Sequence, residues 1–236
     1  MKTILRTDVG RVRKTNEDAA YVDGPVCIVC DGMGGHQAGD VAANLAVDII
    51  AASLSAKEPS VRTLLGAVAK ANEQIHHRAT ADKRLSGMGT TLTALWMDID
   101  QVYIAQVGDS RAYLLRGGIL RQCTHDHSMV AELVRMGSIT HEEARVHPHR
   151  NLVTRALGTE PRVEADVFEV GRRPGDRWLL CSDGLVNHVA DTEIASILSD
   201  NSLYAAADKL LSLALARGGT DNVTLLLVED EGGDAP

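Results

Sequence analysis

Short apolar, β-branched runs recur along the chain and follow one another through tight turns. That order is incompatible with a helix between every pair of strands. The runs are Cys27–Cys30, Thr90–Met97, Val102–Val107, Ala112–Leu115, Val163–Val170, Trp178–Cys181 and Val223–Val228. Each is bounded by Gly, Asp or Pro, as strands are. Between them, Val61, Leu64, Leu65, Val68, Ala71 and Ile75 recur at spacings of three and four, the apolar stripe of a helix. Val41–Leu54 and Leu203–Leu215 read the same way. Gly108-Asp109 and Gly117-Gly118 read as hairpin-like connections. Runs of strands with helices gathered early and late predict an α+β layered fold with antiparallel sheets, rather than a Rossmann-type parallel sheet. Residues about 126–160 break the pattern, being polar, short-helical and rich in histidine, and read as an excursion from the sheets.

No linker or repeat divides the 236 residues, so one domain is expected over 1–228, followed by an acidic flexible tail at 229–236. A hydrophobic share of 44% suffices for a sizeable core, and the net charge of -8 argues against a nucleic-acid partner, which needs basic patches. Charges at Lys2, Arg6, Asp8, Arg11 and Arg13 occupy the place where an export signal has its apolar run. No stretch approaches the roughly 18 uncharged apolar residues of a membrane span. The expectation is a cytoplasmic monomer with no membrane attachment. Its four cysteines, Cys27, Cys30, Cys123 and Cys181, are expected to be reduced.

Four aspartates share one setting. Asp31 ends an apolar run and precedes Gly32-Met33-Gly34-Gly35; Asp183 ends another and precedes Gly184. Asp109 lies in Val107-Gly108-Asp109-Ser110-Arg111, and Asp221 follows Gly218-Gly219-Thr220 just before a strand. Any one of them alone reads as a turn residue. Together they place carboxylates where buried strands meet loops, which projects side chains into a cleft. Clustered carboxylates raise one another's pKa unless a counter-charge is supplied. All-oxygen ligands select hard divalent ions, so Mn2+ or Mg2+ is expected, and the Gly32 carbonyl can join the ligands. Two such ions about 3.5–4 Å apart form a hydrolytic site that clamps a phosphoryl group. Arg13 offers a planar fork for phosphate, and Glu17 and Asp18 can accept hydrogen bonds from ion-bound waters.

Arg13…Asn16-Glu17-Asp18, Asp31-Gly32-Met33-Gly34-Gly35-His36, Met88-Gly89-Thr90-Thr91, Gly108-Asp109-Ser110-Arg111, Ser182-Asp183-Gly184-Leu185 and Gly219-Thr220-Asp221-Asn222 resemble, in order, the motif series of the PPM (PP2C-type) serine/threonine phosphatases, bacterial type. The resemblance spans residues 3 to 228. It implies a four-layer α-β-β-α sandwich, two antiparallel β-sheets flanked by helices, with a flap subdomain at about 126–160. It implies that Asp31 bridges two metals, with the Gly32 carbonyl on one and Asp183 and Asp221 on the other. It also implies that Arg13 binds phosphate, that Asp109 with Asp183 holds a third, weaker metal, and that Thr91 supports the ligands from outside. The activity implied is hydrolysis of phosphoserine and phosphothreonine in proteins by a metal-bridging hydroxide, opposing a bacterial Ser/Thr kinase. Met33 stands where many eukaryotic relatives carry histidine and cannot transfer a proton, which leaves a metal-bound water or His36 as donor. Asn187 stands where some relatives carry aspartate, which suggests that one metal relies more on waters.

Other signals read as structural. Cys27-x-x-Cys30 sits in a strand pattern without a second pair, so buried thiols are expected rather than zinc. His125-x-His127 and His147-Pro148-His149 lack a third ligand and read as solvated or substrate-edge residues; His76-His77 reads as helix surface, and Trp96 and Trp178 as core. Two rival functions share the motifs. A catalytically silent phosphoprotein-binding module would lack part of the carboxylate set, which is complete here. A two-metal phosphodiesterase or nuclease would need a basic groove.

Overall fold

The computed structural model describes residues 1–34 and 38–232, so the suggested proton donor His36 lies outside the described residues. In chain order the first elements are β1 (Lys2–Asp8), β2 (Asp18–Asp23), β3 (Val26–Met33), α1 (Ala38–Leu54) and α2 (Val61–Ala81). Then come β4 (Gly89–Thr90), β5 (Leu92–Met97), β6 (Gln101–Val107), β7 (Arg111–Arg116) and β8 (Ile119–Gln122). The excursion carries α3 (Met129–Arg135) and α4 (His141–Val146). The chain closes with β9 (Asp166–Gly171), β10 (Arg177–Cys181), α5 (Asp183–Val186), α6 (Asp191–Asp200), α7 (Leu203–Ala216) and β11 (Val223–Glu229).

The strands form two antiparallel sheets. One has the order β1-β11-β10-β7-β8; the other runs β2-β3-β5-β6-β9, with β4 paired to β3. The apolar runs are continuous because both faces of each central strand are covered, and the period of two divides them. In β3, Val26, Ile28 and Cys30 pack under α1 and α2, while Cys27 and Val29 face the other sheet. In β10, Trp178 and Leu180 fill the space between sheets, while Leu179 and Cys181 pack under α5, α6 and α7. The result is the α-β-β-α sandwich expected. Both tryptophans are core residues, and all four cysteines are buried and free. Burial pushes the thiols of Cys27 and Cys181 up to about 12, which leaves them inert. Leu65 is the one departure from the predicted α2 stripe, being 39% exposed.

Two expectations are corrected. The Gly108-Asp109 connection is not a hairpin: β6 belongs to one sheet and β7 to the other, so this turn carries the chain across the sandwich. Gly117-Gly118 is a hairpin, with both residues at positive φ between β7 and β8. The acidic run from Glu229 begins inside the fold rather than after it. Glu229 ends β11, and Asp230 is 1% exposed and paired with Arg172 at 2.7 Å. Glu231 pairs with Lys2 at 2.7 Å. Strands β1 and β2 were missed because each lies at a sheet edge, where charged residues interrupt the apolar signal. Asp18 opens β2 directly opposite Asp31.

Candidate active site

The aspartates arrive from both sheets. Asp31 lies in β3 on one sheet; Asp183 opens α5 directly after β10 on the other, and Asp221 immediately precedes β11. Asp109 sits at the crossover between sheets. Their carboxylates share one field. Burial, and then Asp18, Asp183, Asp109 and Asp221 in turn, hold the Asp31 carboxyl well above its ordinary pKa. Asp109 is raised in the same direction by burial, then by Asp183 and Asp126. Asp183 is raised to about 6 by burial and then Asp221, and Asp18 to about 7 by burial, with Asp183 and Asp221 adding to it.

Local structure explains how such costly charges are held. Thr91 N donates to Asp31 O at 2.9 Å and Asp31 N donates to Thr91 Oγ1 at 2.9 Å, so Thr91 grips the Asp31 peptide from both sides. The Thr91 hydroxyl also meets Ser110 Oγ at 2.7 Å, tying Asp31 to the Asp109 turn. Gly32 is required by packing: a Cβ there would run into the carbonyls of Gly39 in α1 and Glu17. Gly32 N donates to Glu17 O at 3.1 Å. Asn187 Nδ2 donates to Asp183 Oδ2 at 3.1 Å and so orients that carboxylate. Arg13 Nη2 donates to Asp221 Oδ2 at 2.8 Å, which sets the phosphate-binding candidate beside a ligand candidate.

Several organising residues escaped the sequence reading. Ser182 Oγ donates to Asp18 Oδ2 at 2.8 Å while accepting from Thr224 N at 3.0 Å. Asn222 accepts from Glu17 N at 2.8 Å and donates to Val9 O at 3.0 Å and Thr15 O at 2.9 Å, lashing the Arg13 loop to the Asp221 loop. Gln106 Nε2 donates to Gly108 O and Ser110 O at 3.0 and 2.6 Å, bracing the Asp109 turn. Ser182 and Asn222 stand inside the motifs, where they could have been noted; Gln106 carries no local signal. His127 corrects the solvated reading, being 3% exposed, whereas His149 is exposed as expected and His147 is half-buried. His76 is half-buried and its Nδ1 meets Gly158 O at 3.0 Å, so it is an anchor for the flap's end rather than free surface.

Among the described residues, no three His, Cys, Asp or Glu side chains form a finished metal-holding group as placed. What converges is charge. Two oxygens, Asp18 Oδ1 and Asp183 Oδ1, are buried with no hydrogen-bond partner. An orphaned carboxylate oxygen inside an acidic cluster costs free energy unless a cation meets it. The donor set is wholly oxygen, so these residues fit a hard divalent ion.

Strand ends from two stacked sheets, presenting clustered carboxylates beside an exposed arginine, define an α-β-β-α sandwich with an acidic cleft. The family profile described as protein phosphatase 2C matches residues 11–216. The serine/threonine phosphatase stp of Listeria welshimeri is 47% identical, over 97% of this chain and 96% of that protein. The serine/threonine protein phosphatase PstP of Mycobacterium tuberculosis is 42% identical over 97% of this chain and 45% of its own length. A crystal structure of PstP superposes with a TM-score of 0.93 at 41% identity, covering 98% and 99% of the two chains. A PstP catalytic domain in complex with 2 manganese ions superposes at 0.89 with 39% identity, covering 96% of each chain. The chain belongs to the protein phosphatase 2C family and is a serine/threonine protein phosphatase. It acts on phosphoproteins.

Proposed function

We propose that the chain hydrolyses phosphoserine and phosphothreonine with Mn2+ or Mg2+, two per chain and a third held more weakly. Asp31 and the Gly32 carbonyl, with Asp183 and Asp221, would hold the two; Asp109 and Asp183 would hold the third. The observation that carries this is the convergence of buried carboxylates on Asp31, with orphaned oxygens on Asp18 and Asp183. The manganese complex of PstP supports it. Bound ions would lower the pKa of a water and neutralise charge on the phosphoryl oxygens.

The chain's own residues do the rest. Arg13 projects its guanidinium from an exposed loop to the Asp221 carboxylate, where it can grip phosphoryl oxygens in bidentate fashion as negative charge builds. Glu17 and Asp18 accept hydrogen bonds from waters at the cleft. Thr91, Asn187 and Asn222 keep the ligands from turning away. Met33 carries no transferable proton, so none of these steps assigns it one. The enzyme is read as a cytoplasmic monomer opposing a Ser/Thr kinase; no described helix is long and apolar enough to cross a membrane.

Asp31→Asn and Asp183→Asn should each abolish manganese-dependent phosphate release from a phosphoprotein, measured as free phosphate. Near-normal turnover in both would overturn the ligand assignment. The kinase pairing predicts that Ser/Thr phosphorylation rises across the proteome when the gene is deleted, and an unchanged phosphoproteome counts against it.

A further inference from the structure

Beside the carboxylate cleft lies a polar cluster that no ligand assignment uses. His127, 3% exposed, stands at the base of the flap and grips a single peptide, that of Gly108, the residue before Asp109. Its main-chain N–H donates to Gly108 O at 2.9 Å, and Gly108 N donates to His127 Nδ1 at 3.1 Å. Nδ1 is therefore the unprotonated nitrogen of the ring. Nε2 faces Asp166 Oδ2 in β9 at 3.3 Å and Arg155 Nη1 at 3.3 Å, and Arg155 Nη1 also donates to the other oxygen of Asp166 at 3.1 Å. The far end of the flap is tied to the same residue, because Thr154 N donates to His127 O at 2.8 Å. Ser128 and Val153 pair beside it. Both ends of the flap thus meet at the residue that holds the Asp109 turn.

The simpler alternative is that His127 fills space. A spacer needs neither two reciprocal bonds to one peptide nor a tautomer fixed by a carboxylate. A carboxylate–imidazole–peptide chain is instead the arrangement that fixes ring orientation around a functional group. The turn it holds has no slack. Gly108 has φ +96°, and a Cβ there would lie 2.6 Å from the Thr91 methyl.

We propose that His127 is a positioning residue: held by Asp166, it couples the flap through Gly108 to the placement of the Asp109 carboxylate, and so sets the affinity of the weakest cation. This rests on the assignment of Asp109 to that cation. Two readings of full-length protein test it: manganese titration by calorimetry, and hydrogen exchange at the Gly108 amide. His127→Ala should weaken the loosest class of manganese about tenfold or more while the tight class stays within about twofold. The Gly108 amide should exchange faster. His127→Asn, which keeps an acceptor for Gly108 N, should recover much of the loss. Loss of stability in His127→Ala with the loosest affinity unchanged is the behaviour of a spacer and overturns the proposal. A wild-type protein that takes up only two ions overturns it as well. Should His127→Ala fail to fold, Asp166→Ala, at a half-exposed carboxylate, should show the same loss in milder form, and unchanged affinity there defeats the idea. Failure of the phosphatase ligand assignment itself is seen separately, as tight manganese binding that survives Asp31→Asn.

Discussion

The site's demands are visible in single residues. Asn222 uses its whole amide, accepting one main-chain bond and donating two, so it holds loops that carry opposite charges close together. Asn222→Ala, at a residue 4% exposed, would remove the partner of one peptide N–H and two carbonyls. Each buried group left unpaired costs about 1–3 kcal/mol. Urea unfolding should therefore show a loss of at least that size for the whole substitution. KM for a phosphopeptide should rise as well, because the Arg13 loop is released. An unchanged KM would mean that Arg13 is positioned by Asp221 alone. Ser182 works likewise, its hydroxyl accepting from a strand amide and donating to Asp18.

At the scale of elements, the decisive feature is the turn between β6 and β7. It crosses from one sheet to the other and brings Asp109 and Ser110 to the Thr91 side of β3. Gly108→Ala combines a left-handed backbone with a clash against Thr91, and should cost about 1–3 kcal/mol or more. Gly118→Ala, at φ +79° in open space, carries only the backbone penalty. Thermal melts should place the Gly108 variant well below the Gly118 variant; equal melting temperatures would show that the turn has room to shift. The flap is firmly stitched at its ends and capped along its length. Ser128 accepts from Ala131 N to start α3, and Thr140 with Glu143 forms a capping box on α4. Asn72 in α2 accepts from Gly158 N at 2.8 Å, fixing the flap's exit as His127 fixes its entry.

Across the whole molecule, stability comes from three apolar layers, and the middle one joins the halves that carry the clustered aspartates. Trp178→Ala would empty a fully buried site between the sheets, at a cost of about 3–5 kcal/mol. The end of the last strand is locked by a buried ion pair. Arg172 holds the Asp230 carboxyl below its ordinary pKa, aided by Gly232 N. A depressed carboxylate stabilises the fold above its unfolded value, about 3.9, and that stabilisation is lost as pH falls through the lower folded value. Arg172→Met would leave the Asp230 carboxylate buried without its partner and should cost about 3–5 kcal/mol at pH 7. The gap to wild type should narrow below about pH 4. A gap that stays constant down to pH 2 would show that Arg172 acts through packing alone.

Much of this was legible in residue order. The apolar runs and their punctuation fixed most central strands, and the 3.6-residue stripes fixed the three long helices, because those signals are local and are written in burial. The aspartates at the strand ends announced the chemistry, because a carboxylate after a buried run has few structural reasons to be there. Edge strands β1 and β2 stayed hidden, since their charged residues face water on one side. What only the tertiary structure decided is which residues meet. The exchange of sheets at Gly108, the burial of His127 and the locking of Asp230 by Arg172 all depend on contacts between distant segments. Those contacts leave no periodicity along the chain, and so sequence alone could single out the aspartates but not the residues that hold them in place.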